Sequence, residues 1–151
     1  MELLKRMDNH ATKNRVRDFL TNELPQLMLV ANLSQLDIKS PSFSDMPKGG
    51  GDGNSAEDNM TEYMMAREAV IAVRKTMDKI PSMYGTILKA SYIDNVQDEF
   101  IMDRIGYKPS RYYELKDQAY SWFATAYPKE IIDFRVWLDS ENRSKNGVEP
   151  E

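Results

Sequence analysis

Three observations predict an all-α protein, a helical bundle. Apolar residues recur at three- and four-residue steps through several long windows, the period of a helix buried on one side. No alternating run of β-branched residues is long enough for a strand. Pro81, Pro128 and a glycine-rich stretch stand at the ends of the periodic windows, where helices stop. With 151 residues, of which 41% are apolar and 29% charged, the chain has enough material for one packed core.

Residues 1–33 form the first unit. From 9 to 32, Val16, Phe19, Leu20, Leu24, Leu27, Met28 and Ala31 make one stripe of an amphipathic helix. Pro25 interrupts it. It has no amide hydrogen and its ring clashes with the preceding turn, so the expectation is a kink, or a break with Pro25 opening a second short helix. Residues 34–54 change character, with two prolines and with Gly49, Gly50, Gly51 and Gly53 close together, and read as a loop. Glycine-rich loops can cradle phosphate. This one lacks the GxxxxGK[ST] spacing, follows no strand-like run and has no lysine after its last glycine, so it reads as a connector.

Residues 55–128 form a helical domain. Ser55, Ala56, Glu57 and Asp58 read as a capping box with Asp in the acidic place. The helix they start runs to about Met77, with Met60, Tyr63, Met64, Val70, Ile71 and Met77 as its buried positions. Glu57 and Asp58 in its first turn, and Arg74, Lys75 and Lys79 near its last, suit the helix dipole. Shorter helices follow at 82–92, about 96–105 and about 109–127. Residues 129–151 supply a last short helix around 130–138, with Ile131, Phe134, Trp137 and Leu138 as its stripe, and then a polar tail of disordered composition.

The inventory excludes much chemistry. There are 24 acids against 20 bases, a net charge of −4, so no global basic field draws the chain to nucleic acid or anionic lipid. Cysteine is absent and His10 is the only histidine, which removes disulfides, thiolate metal sites and clustered imidazole ligands. No cofactor, metal or catalytic residue is expected, and the chain is not read as an enzyme. The pairs Asp98-Glu99 and Glu57-Asp58 sit at helix starts, where the dipole accounts for them. The longest aliphatic stretch, 27–31, is far short of a membrane span, and the opening residues have no apolar core for a signal peptide. A cytoplasmic protein without membrane association is the expectation.

The informative stretch is 96–123. Ile101 and Ile105 share one helix face, and Gly106 comes next, where a left-handed residue ends a helix without a Cβ penalty. Tyr107 supplies an apolar plug in the turn. Pro109 occupies the first helical position, and Tyr112, Leu115, Ala119, Tyr120 and Phe123 form the next buried stripe. Two helices, a short turn containing glycine, and apolar anchors on both sides make a helix-turn-helix pattern. The second helix then presents an uncovered N-terminal face that fits a major groove. On that face lie Ser110, Arg111, Tyr113, Glu114 and Asp117, with Lys108 at the turn and Lys116 along the flank. Arg111 offers two donors to guanine, and Glu114 accepts from cytosine. Lys108, Ser110 and the free amides of the helix start can hold phosphate. The same pattern also suits two packed helices of any bundle, with these residues merely solvated.

Charge tempers the DNA reading. From 82 to 128 the bases Lys89, Arg104, Lys108, Arg111 and Lys116 face the acids Asp94, Asp98, Glu99, Asp103, Glu114 and Asp117. Phosphate contacts drive most affinity, so a domain this close to neutral needs dimerisation, a second basic element or a protein partner. Lys5, Arg6, Lys13, Arg15 and Arg17 are either that second element or the wet side of a helix. The methionines Met60, Met64, Met65 and Met77 read as ordinary core on their helical spacing rather than as an adaptable binding surface. Trp122, Phe123 and Trp137 read as docking the terminal helix rather than stacking on bases.

Three stretches resemble one family, the ArpU/RinA-like phage transcriptional regulators of Gram-positive hosts. They are SPSFSDMPKGGGDGNSAED (40–58); Ile87-Leu88 with Tyr92; and Ile105-Gly106-Tyr107 with SRYYELK (110–116) and 119–124. The third is also similar to the promoter-reading helix-turn-helix of sigma factors. The likeness spans about 19–127. It implies a bundle ending in a sigma-like helix-turn-helix, and an activator of phage late genes that binds double-stranded promoter DNA in the bacterial host cell, alongside RNA polymerase; a homodimer, with the first long helix as an interaction or dimerisation element, is the expectation that the low charge raises. It places Ser110, Arg111, Tyr113 and Glu114 on the base-reading face and Tyr112 and Leu115 in the core. Two departures stand out. Met102 replaces the usual small residue between the helices, and Lys108 replaces a Ser or Thr cap worth about 1 kcal/mol. For the loop, the family suggests a polymerase or promoter contact; equally open is a segment folded back on the helices through Phe43 and Met46. The rival reading of the whole chain is a protein-interaction or packaging adaptor built on a small helical bundle.

Overall fold

The structure, a computed structural model, describes residues 6–43 and 57–138. Lys5, Met46, the glycine run, Ser55 and Ala56 of the expected capping box, and the polar tail lie outside the described residues. The described chain is helical, in the order α1 (Asn9–Asp18), a π-helical turn (Phe19–Glu23), α2 (Leu24–Val30), α3 (Gln35–Lys39), α4 (Glu57–Lys79), α5 (Ser82–Leu88), a second π-helical turn (Lys89–Ile93), α6 (Asp98–Ile105) and α7 (Pro109–Ala126).

α1 opens on Asp8, whose side chain accepts from the Ala11 amide. Pro25 does not break the helical path. The π turn ahead of it keeps the chain helical, and the Leu24 amide reaches back to the Phe19 carbonyl, five residues earlier. Widening the ladder by one residue accommodates a ring that would collide with the preceding turn, and Pro25 then sits at the start of α2, where its missing N–H is not needed.

The segment expected to be a loop from 34 contains a one-turn helix. Ser34 accepts from the Asp37 amide and Asp37 accepts from the Ser34 amide, a reciprocal cap that holds α3 despite its length. Arg74 of α4 donates to the carbonyls of Ile38 and Ser40 at 2.7 and 3.0 Å, satisfying the end of α3. Ile38 and Phe43 are buried in the main core, so this segment folds back on the helices through Phe43.

α1 packs on α7, α2 on α4, and α5 on both α4 and α7. The main core gathers Val16, Phe19 and Leu20 from the first helical unit, Val70, Val73 and Met77 from α4, and Ala119, Tyr120 and Phe123 from α7. Val70, Ile71 and Met77 are buried as expected, whereas Met64 is exposed. α5 approaches the end of α4 so closely that a Cβ at Gly85 would collide with the Met77 carbonyl.

Residues 132–136 form no helix where a terminal helix around 130–138 was expected. Their polar groups are met by the opposite end of the described chain. The Asp8 amide donates to the Val136 carbonyl at 2.7 Å, the Leu138 amide to the Arg6 carbonyl at 2.8 Å, and the Val136 amide to Thr12 Oγ1 at 3.0 Å. Met7 and Trp137 form an isolated antiparallel bridge. Phe134 is buried against Phe19, Phe123 and Tyr127. The non-helical path wins because these partners satisfy the Val136 and Leu138 amides and the Val136 carbonyl, groups that a short helix after Pro128 would leave frayed.

Candidate functional site

α6 and α7 share a second, smaller core with α5. Ile87, Ala90, Ile101, Tyr112 and Leu115 are buried in it, and Val96, Met102 and Ile105 pack at its edge. α6 ends on Gly106 at φ +79°, the left-handed conformation that only glycine adopts without penalty. The Gly106 and Tyr107 amides both donate to the Met102 carbonyl, closing the helix end. Tyr107 is exposed at 38% and does not plug the turn. Lys108 then begins α7 in extended conformation without a side-chain cap, and Pro109 takes the first helical position.

The register of α7 follows the predicted stripe, with Tyr112, Leu115, Ala119, Tyr120 and Phe123 all buried. The opposite edge is bare. Lys108, Ser110, Arg111, Tyr113 and Glu114 are exposed. Arg111 Nη1 donates to Glu114 Oε1 at 2.8 Å, one turn along the same edge. That bond, with the Glu114 charge, raises the Arg111 pKa further above its usual value. The edge therefore offers a cationic fork and a carboxylate side by side.

Lys116 departs from this group. Its side chain is only 12% exposed, and its ammonium pairs with Asp98 Oδ1 at 2.8 Å. It also lies 5.7 Å from the Tyr92 ring centre and 6.0 Å from that of Tyr112, both favourable to a cation. Asp117 likewise turns to a neighbour, Lys13 of α1, at 3.6 Å.

Asp98, in the first turn of α6, joins the two helices. The buried Tyr112 donates its hydroxyl to Asp98 Oδ1 at 2.6 Å, and Tyr113 reaches Oδ2 at 3.4 Å. Burial pushes the carboxyl pKa up, but the Lys116 ammonium and the Tyr112 hydroxyl outweigh it and hold the group below the usual carboxylate range. Burial and the bond to Asp98 raise the Tyr112 hydroxyl far above the ordinary tyrosine value, so it stays a neutral donor. Sequence reasoning assigned Asp98 to the helix dipole alone; its partners stand on another helix, and only their i, i+4 spacing at Tyr112 and Lys116 hinted at a shared acceptor.

Trp122 is 44% exposed and stacks on Tyr84 at 5.9 Å, so it does not dock the terminal segment. Phe123 does, through Phe134. Among the described residues, no group of three His, Cys, Asp or Glu could hold a metal, and no helix is long and apolar enough to cross a membrane.

A protein of Enterococcus hirae named "Putative autolysin regulatory protein ArpU" is 33% identical over 132 residues, covering 84% of this chain and 93% of that protein. The chain belongs to the ArpU family. No protein-family model matches the sequence. No solved structure matches it either. In this ArpU-family chain the aligned region is long enough to take in most of the described helices, so the α6–α7 pair is part of a fold shared with the relative rather than an appendage.

Proposed function

We propose that this chain is a sequence-specific DNA-binding transcriptional regulator. The observation that carries the reading is the division of α7: Tyr112 and Leu115 are sealed against α5 and α6, while Ser110, Arg111, Tyr113 and Glu114 on the opposite edge are open at the start of the helix. In a helix-turn-helix, it is the first residues of the second helix that meet base edges. Arg111 suits guanine and Glu114 suits cytosine, and they stand one turn apart on the same edge. Lys108, Ser110 and the uncapped amides of the helix start face the backbone. The name of the Enterococcus relative, a regulatory protein for an autolysin, supports a regulatory role. The family resemblance extends this to an activator of phage late genes, lysis among them, working beside bacterial RNA polymerase.

The second reading, a protein-interaction adaptor, draws on Leu29, Leu36 and Met65, which are 81%, 78% and 64% exposed on the other helices. Selection from random duplexes at low salt, with and without polymerase, separates the two. Enrichment of a defined motif supports the regulator, and no enrichment under either condition supports the adaptor.

A further inference from the structure

A pocket of about 300 Å³ opens against α6, walled by Lys39 of α3, Arg74 of α4, Lys89 of the second π turn and Arg104 of α6, with Thr86 and Asp94. These cations come from separate elements, so the fold and not local sequence gathers them. Asp78 pairs with Arg74 at 3.1 Å and with Lys89 at 2.8 Å, and Asp94 stands 3.9 Å from Lys39. Two carboxylates thus answer four cations, in a chain whose net charge is −4. Arg74 is committed to the Ile38 and Ser40 carbonyls, which leaves it as a fixed charge in the wall. Arg104, in the last turn of α6, makes no ion pair among the described residues.

We infer that this pocket binds a phosphate of the nucleic-acid backbone. Arg104 would supply a planar fork, Lys89 and Lys39 point charges, and Thr86 a hydroxyl donor. The inference rests on the DNA reading above and extends it from the bases to the backbone. Arg104 is four residues ahead of Lys108, so their Cα atoms are at most about 14 Å apart. A duplex carries one negative charge per roughly 1.7 Å of axis, so a backbone held at the start of α7 has further phosphates within that reach. Lys39 and Arg74 also add to the near-neutral 82–128 region two cations from outside it.

The test is the salt dependence of binding by the full chain to its selected duplex between about 50 and 200 mM salt, a range that spans about a decade or more in affinity for several phosphate contacts. Arg104→Gln and Lys39→Gln are each expected to make the log–log slope shallower, by at most about 0.9 in total for the one phosphate they share, and to weaken motif and scrambled duplexes by the same factor. Unchanged slopes in both variants, with wild-type circular dichroism, overturn the pocket and leave the DNA reading standing. If the wild type binds no duplex, the DNA reading fails, and titration with inorganic phosphate, followed at the Arg104 side-chain NMR resonance, decides what is left. A shift overturns the nucleic-acid source and assigns the pocket to a free phosphoryl group; no shift overturns the site.

Discussion

The Asp98 carboxylate at the head of α6 holds the Lys116 ammonium of α7 at 2.8 Å, and the same oxygen accepts the Tyr112 hydroxyl at 2.6 Å. Three side chains on two helices therefore fix the angle at which the open edge of α7 is presented. Asp98→Ala removes the acceptor and leaves the buried Tyr112 hydroxyl and the nearly buried Lys116 without it. It should destabilise the fold by about 1–3 kcal/mol in urea unfolding, the cost of stranding a buried polar group. Wild-type stability in this variant would remove the proposed clamp.

The same carboxylate gives a pH dependence with a definite sign. The folded-state pKa of Asp98 is below the unfolded value. Its contribution is therefore complete above the unfolded carboxyl pKa of about 3.9 and is lost as pH falls through the lower folded value. The stability gap between wild type and Asp98→Asn should be widest near neutrality and close in acid. A gap that stays constant from neutral pH into that acid range would contradict the assignment.

Gly85 faces the Met77 carbonyl with no room for a methyl group. Gly85→Ala must push α5 off the end of α4 and should cost about 1–3 kcal/mol, as overpacking does. Gly106→Ala meets no neighbour, yet its left-handed backbone is strained for any side chain; about 1 kcal/mol is expected. Thermal melts of the two variants compare steric with conformational cost.

Arg111→Ala and Tyr113→Ala should lower motif binding by roughly tenfold to a hundredfold, the scale of one lost base contact. Both side chains are exposed, so helical circular dichroism and melting should be unchanged. Tyr112→Ala should do the opposite, lowering stability by about 3–5 kcal/mol as a large-to-small core change. Motif binding that survives both exposed substitutions would move the reading edge elsewhere.

Phe134→Ala should cost about 3–5 kcal/mol, because the ring closes the cluster of Phe19, Phe123 and Tyr127. A chain that melts like wild type without this ring would show that the 132–136 segment contributes little to the core.

Sequence periodicity determined the longer helices and the register of α7, because a 3.6-residue stripe is a property of contiguous chain: Tyr112 and Leu115 could only face inward together, leaving Arg111 and Tyr113 outward. Composition likewise set the available chemistry, with one histidine and no cysteine. The tertiary structure decided what depends on residues far apart in the chain. Arg111 and Lys116 are both cations on one helix, and nothing local says that Asp98 captures the second and spares the first. Residues 132–136 carry apolar spacing that suits a helix, but the backbone groups of 6–8 and the Phe19 ring reward a non-helical path instead. The basic pocket has no sequence signature, since Lys39, Arg74, Lys89 and Arg104 meet only when four elements pack. Local propensity is written along the chain; partners supplied from a distance decide among the conformations it allows.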